Sequence, residues 1–174
     1  MKLKFGNYCI RNFEDNDIHS LVKYANNINV AKNLRDAFPN PYKLEHAIQW
    51  IKIVKEGNRS THFAVANEEE LIGGIGLILQ EDVHRLNAEI GYWLGEPFWG
   101  QGIMTEAVKI FTNFVFKEFN VIRLYARIYE SNKSSARVLE KAEYKLEAVF
   151  DKSIFKNGII QNEYIYSILN QNRI

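Results

Sequence analysis

The sequence predicts an α+β fold: a mixed, mostly antiparallel twisted sheet of about seven strands, with helices on both faces. Three observations predict it. Seven segments alternate with period two or carry short apolar runs. Four segments repeat their apolar residues at helical spacing. The two kinds do not alternate regularly, which excludes the repeating strand–helix units of a dinucleotide fold.

Leu3–Arg11 reads as the first strand. Asp15, Asn16 and Asp17 offer N-cap side chains for a short helix over Ile18–Asn26. Phe38-Pro39-Asn40-Pro41-Tyr42 must be irregular, because two prolines break any helix. A second helix follows over Leu44–Lys55, with Leu44, Ala47, Ile48, Ile51 and Val54 as its apolar stripe and Gly57-Asn58 as its stop. Thr61–Ala66 and Leu71–Leu79 then form a β-pair around Asn67-Glu68-Glu69-Glu70. Gly73, Gly74 and Gly76 inside the second strand imply a bend or a close backbone approach. Ala88–Leu94 is a strand, Gly102–Glu118 a long helix and Arg123–Tyr129 another strand. Met104, Ala107, Val108, Phe111, Phe114 and Val115 line the buried side of that helix. A short helix over Ser134–Ala142, capped near Ser131-Asn132, precedes a hairpin of Tyr144–Phe155 and Ile159–Leu169 around Lys156-Asn157-Gly158.

Composition narrows the class. The 174 residues suit one domain, 1–174. Hydrophobic residues make up 47%, enough for a packed core without disulfides or metals. With 22 basic and 21 acidic residues the net charge is +1, and no basic block argues for nucleic acid. Cys9 is alone, which excludes a disulfide framework and favours a reducing, cytoplasmic setting; it reads as a small hydrophobe on the first strand. No apolar run approaches the roughly 20 residues of a membrane span, and the amino terminus lacks the apolar stretch of a signal peptide. His19, His46, His62 and His84 are scattered without metal spacing, so no metal site is expected.

The richest segment is Pro97-Phe98-Trp99-Gly100-Gln101-Gly102-Ile103-Met104-Thr105-Glu106-Ala107. A strand enters it and a helix leaves it. Two glycines let main chain approach a ligand, and the first-turn N–H groups of the helix suit an anion, above all a phosphate. No lysine follows as in a P-loop, and the third glycine and distal acid of a dinucleotide fingerprint are missing.

Together with Asn132-Lys133-Ser134-Ser135-Ala136-Arg137-Val138-Leu139-Glu140-Lys141-Ala142 one strand later, this segment resembles the GCN5-related N-acetyltransferase family, and within it the RimJ/RimL-like branch. Ala88–Leu94 before the turn and the Asn157-Gly158 hairpin after it fall in the family's order, so the resemblance spans nearly the whole chain. It implies a splayed central strand pair and acetyl-CoA as acetyl donor. The diphosphate would meet the main chain of Gln101, Gly102, Ile103, Met104 and Thr105, with a hydroxyl available from Thr105. The pantetheine arm would pair with the main chain of Tyr92, Trp93 and Leu94, as an added strand does. An N–H near Trp93 or Leu94 would hold the oxyanion. Asn132 matches the asparagine that meets the thioester end, and it equally suits a helix N-cap.

Glu89 can accept the amine's proton, and Ser135 matches the serine that returns a proton to the thiolate in RimL-like members. Both also have ordinary structural readings, as a strand glutamate and as first-turn helix chemistry. Acceptor selection falls to the segment holding Asn33, Arg35 and Phe38, to Glu89, and to Tyr164 in the last hairpin. Asp36 or Glu89 would attract a cationic amine, whereas Arg35 would receive a carboxylate; His84 is the weaker, loop-borne candidate. Departures from the family are plain. Trp99 and Met104 stand at the first and last positions of the glycine motif. Leu139 replaces the usual acid tyrosine, Ile154 replaces a glutamate of RimL-like members, and Glu143 replaces a helix-ending glycine, where left-handed backbone would strain it.

The expected activity is therefore direct acetyl transfer from acetyl-CoA to a primary amine, on a protein N-terminus or a small molecule, by a monomer or homodimer. A non-catalytic acyl-CoA sensor is the alternative, and transfer to a hydroxyl a third reading.

Overall fold

A computed structural model describes residues 1–57 and 61–173. Eight strands and five α-helices follow in the order β1 (Lys2–Phe5), β2 (Tyr8–Arg11), α1 (Ile18–Ala25), α2 (Ile28–Ala31), α3 (Leu44–Glu56), β3 (His62–Ala66), β4 (Leu71–Leu79), β5 (Asn87–Leu94), α4 (Ile103–Glu118), β6 (Arg123–Tyr129), α5 (Lys133–Lys141), β7 (Lys145–Lys156) and β8 (Ile159–Leu169). The strand order is β1-β2-β3-β4-β5-β6-β8-β7. The eighth strand arises because the predicted first strand is a hairpin: Gly6 takes φ +52° and turns the chain between Phe5 and Tyr8, which pair with each other.

The chain forms two compact units, Met1–Gly76 with Tyr92–Ile103, and Leu77–Gly91 with Met104–Ile174. In the first, β1, β2, β3 and β4 pair antiparallel in sequence order. Its core gathers Phe13, Leu21, Ala25, Tyr42, Ala47, Ile51, Ala64 and Leu71, with Phe38, Trp50 and Trp93 packed against them. Burial pushes the Tyr42 hydroxyl up to about 12. Three of the five residues expected on the α3 stripe, Ala47, Ile51 and Val54, face the core. Ala47 and Ile51 are buried, but Leu44 and Ile48 are half exposed, because the helix turns the Ala47–Ile51–Val54 ridge inward instead. The helix ends at Gly57; Asn58 lies outside the described residues.

The predicted cap of α1 also differs. Asp17 caps nothing with its side chain there. It is buried, accepts two hydrogen bonds of 2.7 Å from the Arg11 guanidinium and takes the Glu14 N–H at 2.8 Å. A buried carboxylate needs such a partner set, and the Asp17 hydrogen bond in turn raises the Arg11 pKa.

Close packing explains the glycines of β4. A Cβ on Gly73 would stand 2.5 Å from the Trp93 carbonyl oxygen, and one on Gly74 2.8 Å from the Trp93 Nε1. The main chain of β4 therefore approaches β5 more closely than any side chain would allow.

In the second unit β6 pairs antiparallel with β8, and β8 with β7. One side of β6, Leu124, Ala126 and Ile128, is buried. Phe111, Val108 and Val115 of α4 are fully buried, and the Thr112 hydroxyl shares a 2.7 Å hydrogen bond with Tyr144. Burial of Tyr144 raises its pKa. β5 pairs in parallel with β6 through Asn87–Arg123, Ala88–Leu124 and Glu89–Tyr125. Among the described residues the ladder ends there, although β5 continues to Leu94 and β6 to Tyr129. After α5 the chain turns at Glu143, with φ +69°, so a glutamate does adopt the left-handed conformation.

Candidate active site

The first unit supplies a turn held by main-chain and side-chain hydrogen bonds together. At the end of β5 the Gly95 N–H donates to the Ile72 carbonyl at 2.8 Å. A short 3-10 turn over Glu96–Phe98 follows, with the Phe98 N–H bonded to the Gly95 carbonyl at 3.0 Å. The Trp99 indole N–H reaches back to the Leu94 carbonyl at 2.7 Å. The departure of the motif's first position thus has a structural use: tryptophan clamps the turn on itself. Gln101 donates from its side chain to the Pro97 carbonyl at 3.1 Å.

Beyond that clamp, Gly100 and Gly102 take φ +76° and +78°, and the space where a Cβ would stand is open at both. Only glycine adopts this pair of conformations without strain. α4 starts at once. Ile103, Met104 and Thr105 turn their side chains into the interior, whereas Gln101 and Gly102 are exposed. The buried Thr105 makes the expected projecting hydroxyl less important than main chain. The first turn of this 16-residue helix carries N–H groups that have no partner within the helix, at its positive end. Such an arrangement suits a phosphate-bearing ligand.

Neighbouring side chains hold the turn from outside. The Tyr24 ring lies against Gly95, where an added Cβ would come within 2.9 Å, and meets Phe98 edge-on at 5.3 Å. Asn27 and Asn29 donate to the Glu96 carboxylate at 2.6 and 3.0 Å. Those two bonds hold the Glu96 carboxyl below its ordinary pKa. No sequence pattern marks this brace, since its partners lie 67 to 69 residues apart. The indole clamp carried one signal, the unusual tryptophan itself.

Among the predicted acceptor residues of this unit, Phe38 packs against Tyr42 at 5.1 Å and meets Trp93 at 6.1 Å. The structure thus brings one expected acceptor residue onto one expected cofactor residue. Asn33 instead caps locally, donating to the Asn29 carbonyl at 3.1 Å. Arg35 is exposed, and its carbonyl accepts from the Phe38 N–H at 2.9 Å. Tyr92 is half-buried on β5.

The second unit holds the others. The Asn132 side-chain oxygen accepts the Ser135 N–H at 3.2 Å, so the structural reading of Asn132 as N-cap of α5 holds. Ser135 is half-buried in the first turn. Glu89 is half-buried on β5 in register with Tyr125. Its negative charge contributes to raising the Arg127 pKa, after the direct hydrogen bond from Arg127 to Glu163. Tyr164 is committed: its hydroxyl donates to Glu130 at 3.3 Å, and the Lys133 ammonium sits 5.3 Å above its ring. Leu139 is fully buried, so that position serves packing. His84 is exposed in a short 3-10 turn. Among the described residues no three His, Cys, Asp or Glu side chains are grouped to hold a metal, and no helix is long and apolar enough to cross a membrane.

Comparison with known proteins gives one consistent answer. Residues 7–145 match the acetyltransferase (GNAT) domain family. The probable N-acetyltransferase YjcK of Bacillus subtilis is 34% identical over 117 residues, covering 66% of this chain and 65% of that protein. The ribosomal-protein-serine acetyltransferase of Escherichia coli is 26% identical over 140 residues, covering 71% and 78%. The structure of RimL, a ribosomal-protein acetyltransferase in complex with coenzyme A, superimposes with a TM-score of 0.86 at 18% identity, over 97% of this chain and 98% of that one.

Proposed function

Because this chain belongs to the GNAT acetyltransferase family, we propose that it moves the acetyl group of acetyl-CoA directly to a primary amine, on a protein N-terminus or a small molecule. The observation that carries the reading is the pair of left-handed glycines, Gly100 and Gly102, with open space before the first turn of α4.

In this reading the main chain of Gln101 to Thr105 holds the diphosphate. The main chain of Tyr92, Trp93 and Leu94 pairs with the pantetheine arm, on the stretch where β5 runs past its ladder with β6. An N–H near Trp93 or Leu94 donates a hydrogen bond to the thioester oxygen as negative charge develops on it. Phe38, packed on Trp93, walls the acceptor side, with Asn33, Arg35 and Tyr164 as further acceptor contacts.

Glu89 takes a proton from the incoming ammonium. The amine nitrogen then bonds to the carbonyl carbon, the carbon–sulfur bond breaks, and the second proton shed by the nitrogen passes through the Ser135 hydroxyl to the leaving thiolate, which leaves a neutral amide, CoA thiol and an unchanged serine. The Asn132 cap holds the first turn on which Ser135 sits. Holding amine and thioester together supplies much of the acceleration, so neither side chain has to be a strong catalyst.

The test has two parts. Acetyl-CoA at 100 times its Kd adds about 2.7 kcal/mol, which for this length raises Tm by roughly 5–10 °C. Release of CoA thiol must then require an added amine, screened across polyamines, amino acids and ribosomal-protein N-terminal peptides. Absence of any thermal shift removes the reading altogether. A shift without amine-dependent thiol release leaves a sensor in place of an enzyme.

A further inference from the structure

Tyr42 carries a polar atom that the fold itself does not use. Its side chain is buried, with 5% of the residue exposed, and its ring packs on Phe38 at 5.1 Å and on the His46 imidazole at 5.7 Å. The other buried tyrosines commit their hydroxyls: Tyr24 to Glu70 at 2.6 Å, Tyr144 to Thr112 at 2.7 Å and Tyr166 to Glu140 at 3.0 Å. The Tyr42 hydroxyl has no hydrogen-bond partner among the described residues, and burial is the one influence on its pKa. A buried polar group left in this state calls for an explanation. No fully buried side-chain nitrogen or oxygen among the described residues lacks a partner, so this oxygen reaches water although its ring does not.

A second donor stands in the same condition. The half-buried Trp93 indole N–H has no partner among the described residues, whereas that of Trp99 is bonded to Leu94. Gly74 makes the room for it, since a Cβ there would stand 2.8 Å from the Trp93 nitrogen. Phe38 touches both rings, and all of these residues belong to the first unit.

We propose that Tyr42 is a specificity-determining residue: its O–H, with the Trp93 N–H as a second donor, binds a carbonyl or carboxylate oxygen that the amine substrate carries beside its nitrogen. This rests on the acetyl transfer proposed above, in which the main chain of Trp93 lies along the pantetheine arm and Phe38 walls the amine side. The chemistry of the donors selects the class. An indole N–H only donates, and a phenol kept protonated by burial is a good neutral donor. A protonated polyamine offers donors alone and leaves the indole N–H unmatched. An α-amino carbonyl compound offers an oxygen at the right chemical remove from its amine. A site built to bond such an oxygen rejects an analogue without it far more strongly than an apolar wall does.

CoA thiol release with four amines tests this, rates being referred to the unprotonated fraction of each. L-alaninamide and an Ala-Ala-Ala peptide amide carry the carbonyl; 2-aminobutane and spermidine lack it. The carbonyl-bearing amines are expected to lead by at least about 100-fold in kcat/KM. Preference for alaninamide identifies a small free amine as the substrate, and preference for the peptide a chain terminus; both fit the proposal. Tyr42→Phe should shrink the lead at least tenfold, through KM for the amine, while acetyl-CoA affinity stays unchanged. Its Tm should not fall, because the lost hydroxyl bonds no protein group. Trp93→Phe, which keeps a ring and loses the N–H, should shrink the same lead. Amine-dependent thiol release with no preference for the carbonyl, or with a preference that Tyr42→Phe leaves intact, overturns this proposal alone. A fall of several degrees in the Tm of Tyr42→Phe, with the preference intact, shows a structural tyrosine and overturns it too. A wild-type chain that acetyl-CoA does not stabilise, or that releases thiol with no amine, removes the acetyl-transfer reading and this proposal together.

Discussion

At the scale of single residues, the two informative backbones are both left-handed, and they differ in what they require. Gly102 holds φ +78° with open space before it. Replacing it with valine strains the backbone by about 1–2 kcal/mol and puts methyl groups where the diphosphate is proposed to lie. Gly6→Val imposes similar strain in the β1–β2 turn, where φ is +52° and space is also open. Titration calorimetry should therefore show acetyl-CoA affinity falling at least tenfold in the first variant and unchanged in the second. Equal affinity in both would dissociate the glycine turn from nucleotide binding. Glu143 is the converse case, a side chain that must tolerate φ +69°. Glu143→Gly relieves about 1 kcal/mol of strain, worth some 2–4 °C in Tm for a chain of this size. A calorimetric scan showing no gain would mean that the neighbouring helix end already absorbs the strain.

Elements are held by polar contacts as well as apolar ones. Thr112 of α4 and Tyr144, just before β7, are both buried and share one hydrogen bond. Tyr144→Phe leaves the threonine hydroxyl without that partner, at a cost of about 1–3 kcal/mol. Adding Thr112→Val removes the orphan, so the double variant should recover much of the loss. Denaturant unfolding of the four-member cycle reads this directly, and strictly additive effects would show that the bond is not coupling the pair.

For the molecule as a whole, acidification should act in stages. Burial lowers the His62 pKa, so the folded state holds fewer protons than the unfolded state below the ordinary value of about 6.5. The stability that neutral His62 contributes is present above that value and is lost as pH falls through it. Glu70, held down first by its hydrogen bond from Lys23, and Glu147, held down by Arg123, act later, in the carboxylate range. Tm measured from pH 7.5 to 5 should decline, and His62→Leu should flatten that decline. An unchanged slope in the variant would place the acid sensitivity elsewhere.

The same scale shows what was legible in the sequence. The glycine turn, α4 and the hairpin of β7 and β8 rest on local spacing, and local spacing is written in the chain; the glycines of β4 announced a close backbone approach but not that Trp93 of β5 makes it. The break between β1 and β2 carried a local signal too, at Gly6-Asn7, which the apolar run around it obscured. Leu44 and Ile48 read as core because periodicity gives a face but not the direction in which tertiary packing turns it. Asn27 and Asn29 on Glu96, Arg11 on Asp17 and Phe38 on Trp93 join residues distant in sequence, and no window along the chain contains them.

Of the three tryptophans in the chain, Trp99 is the exposed one, at 42%, while its ring nitrogen stays bonded to Leu94. The turn therefore carries its own fluorophore. Against the emission of the half-buried Trp50 and Trp93, measured in a Trp99→Phe variant, its wavelength and its accessibility to acrylamide quencher give an optical readout of whether that loop is clamped or released, in solution and without any label.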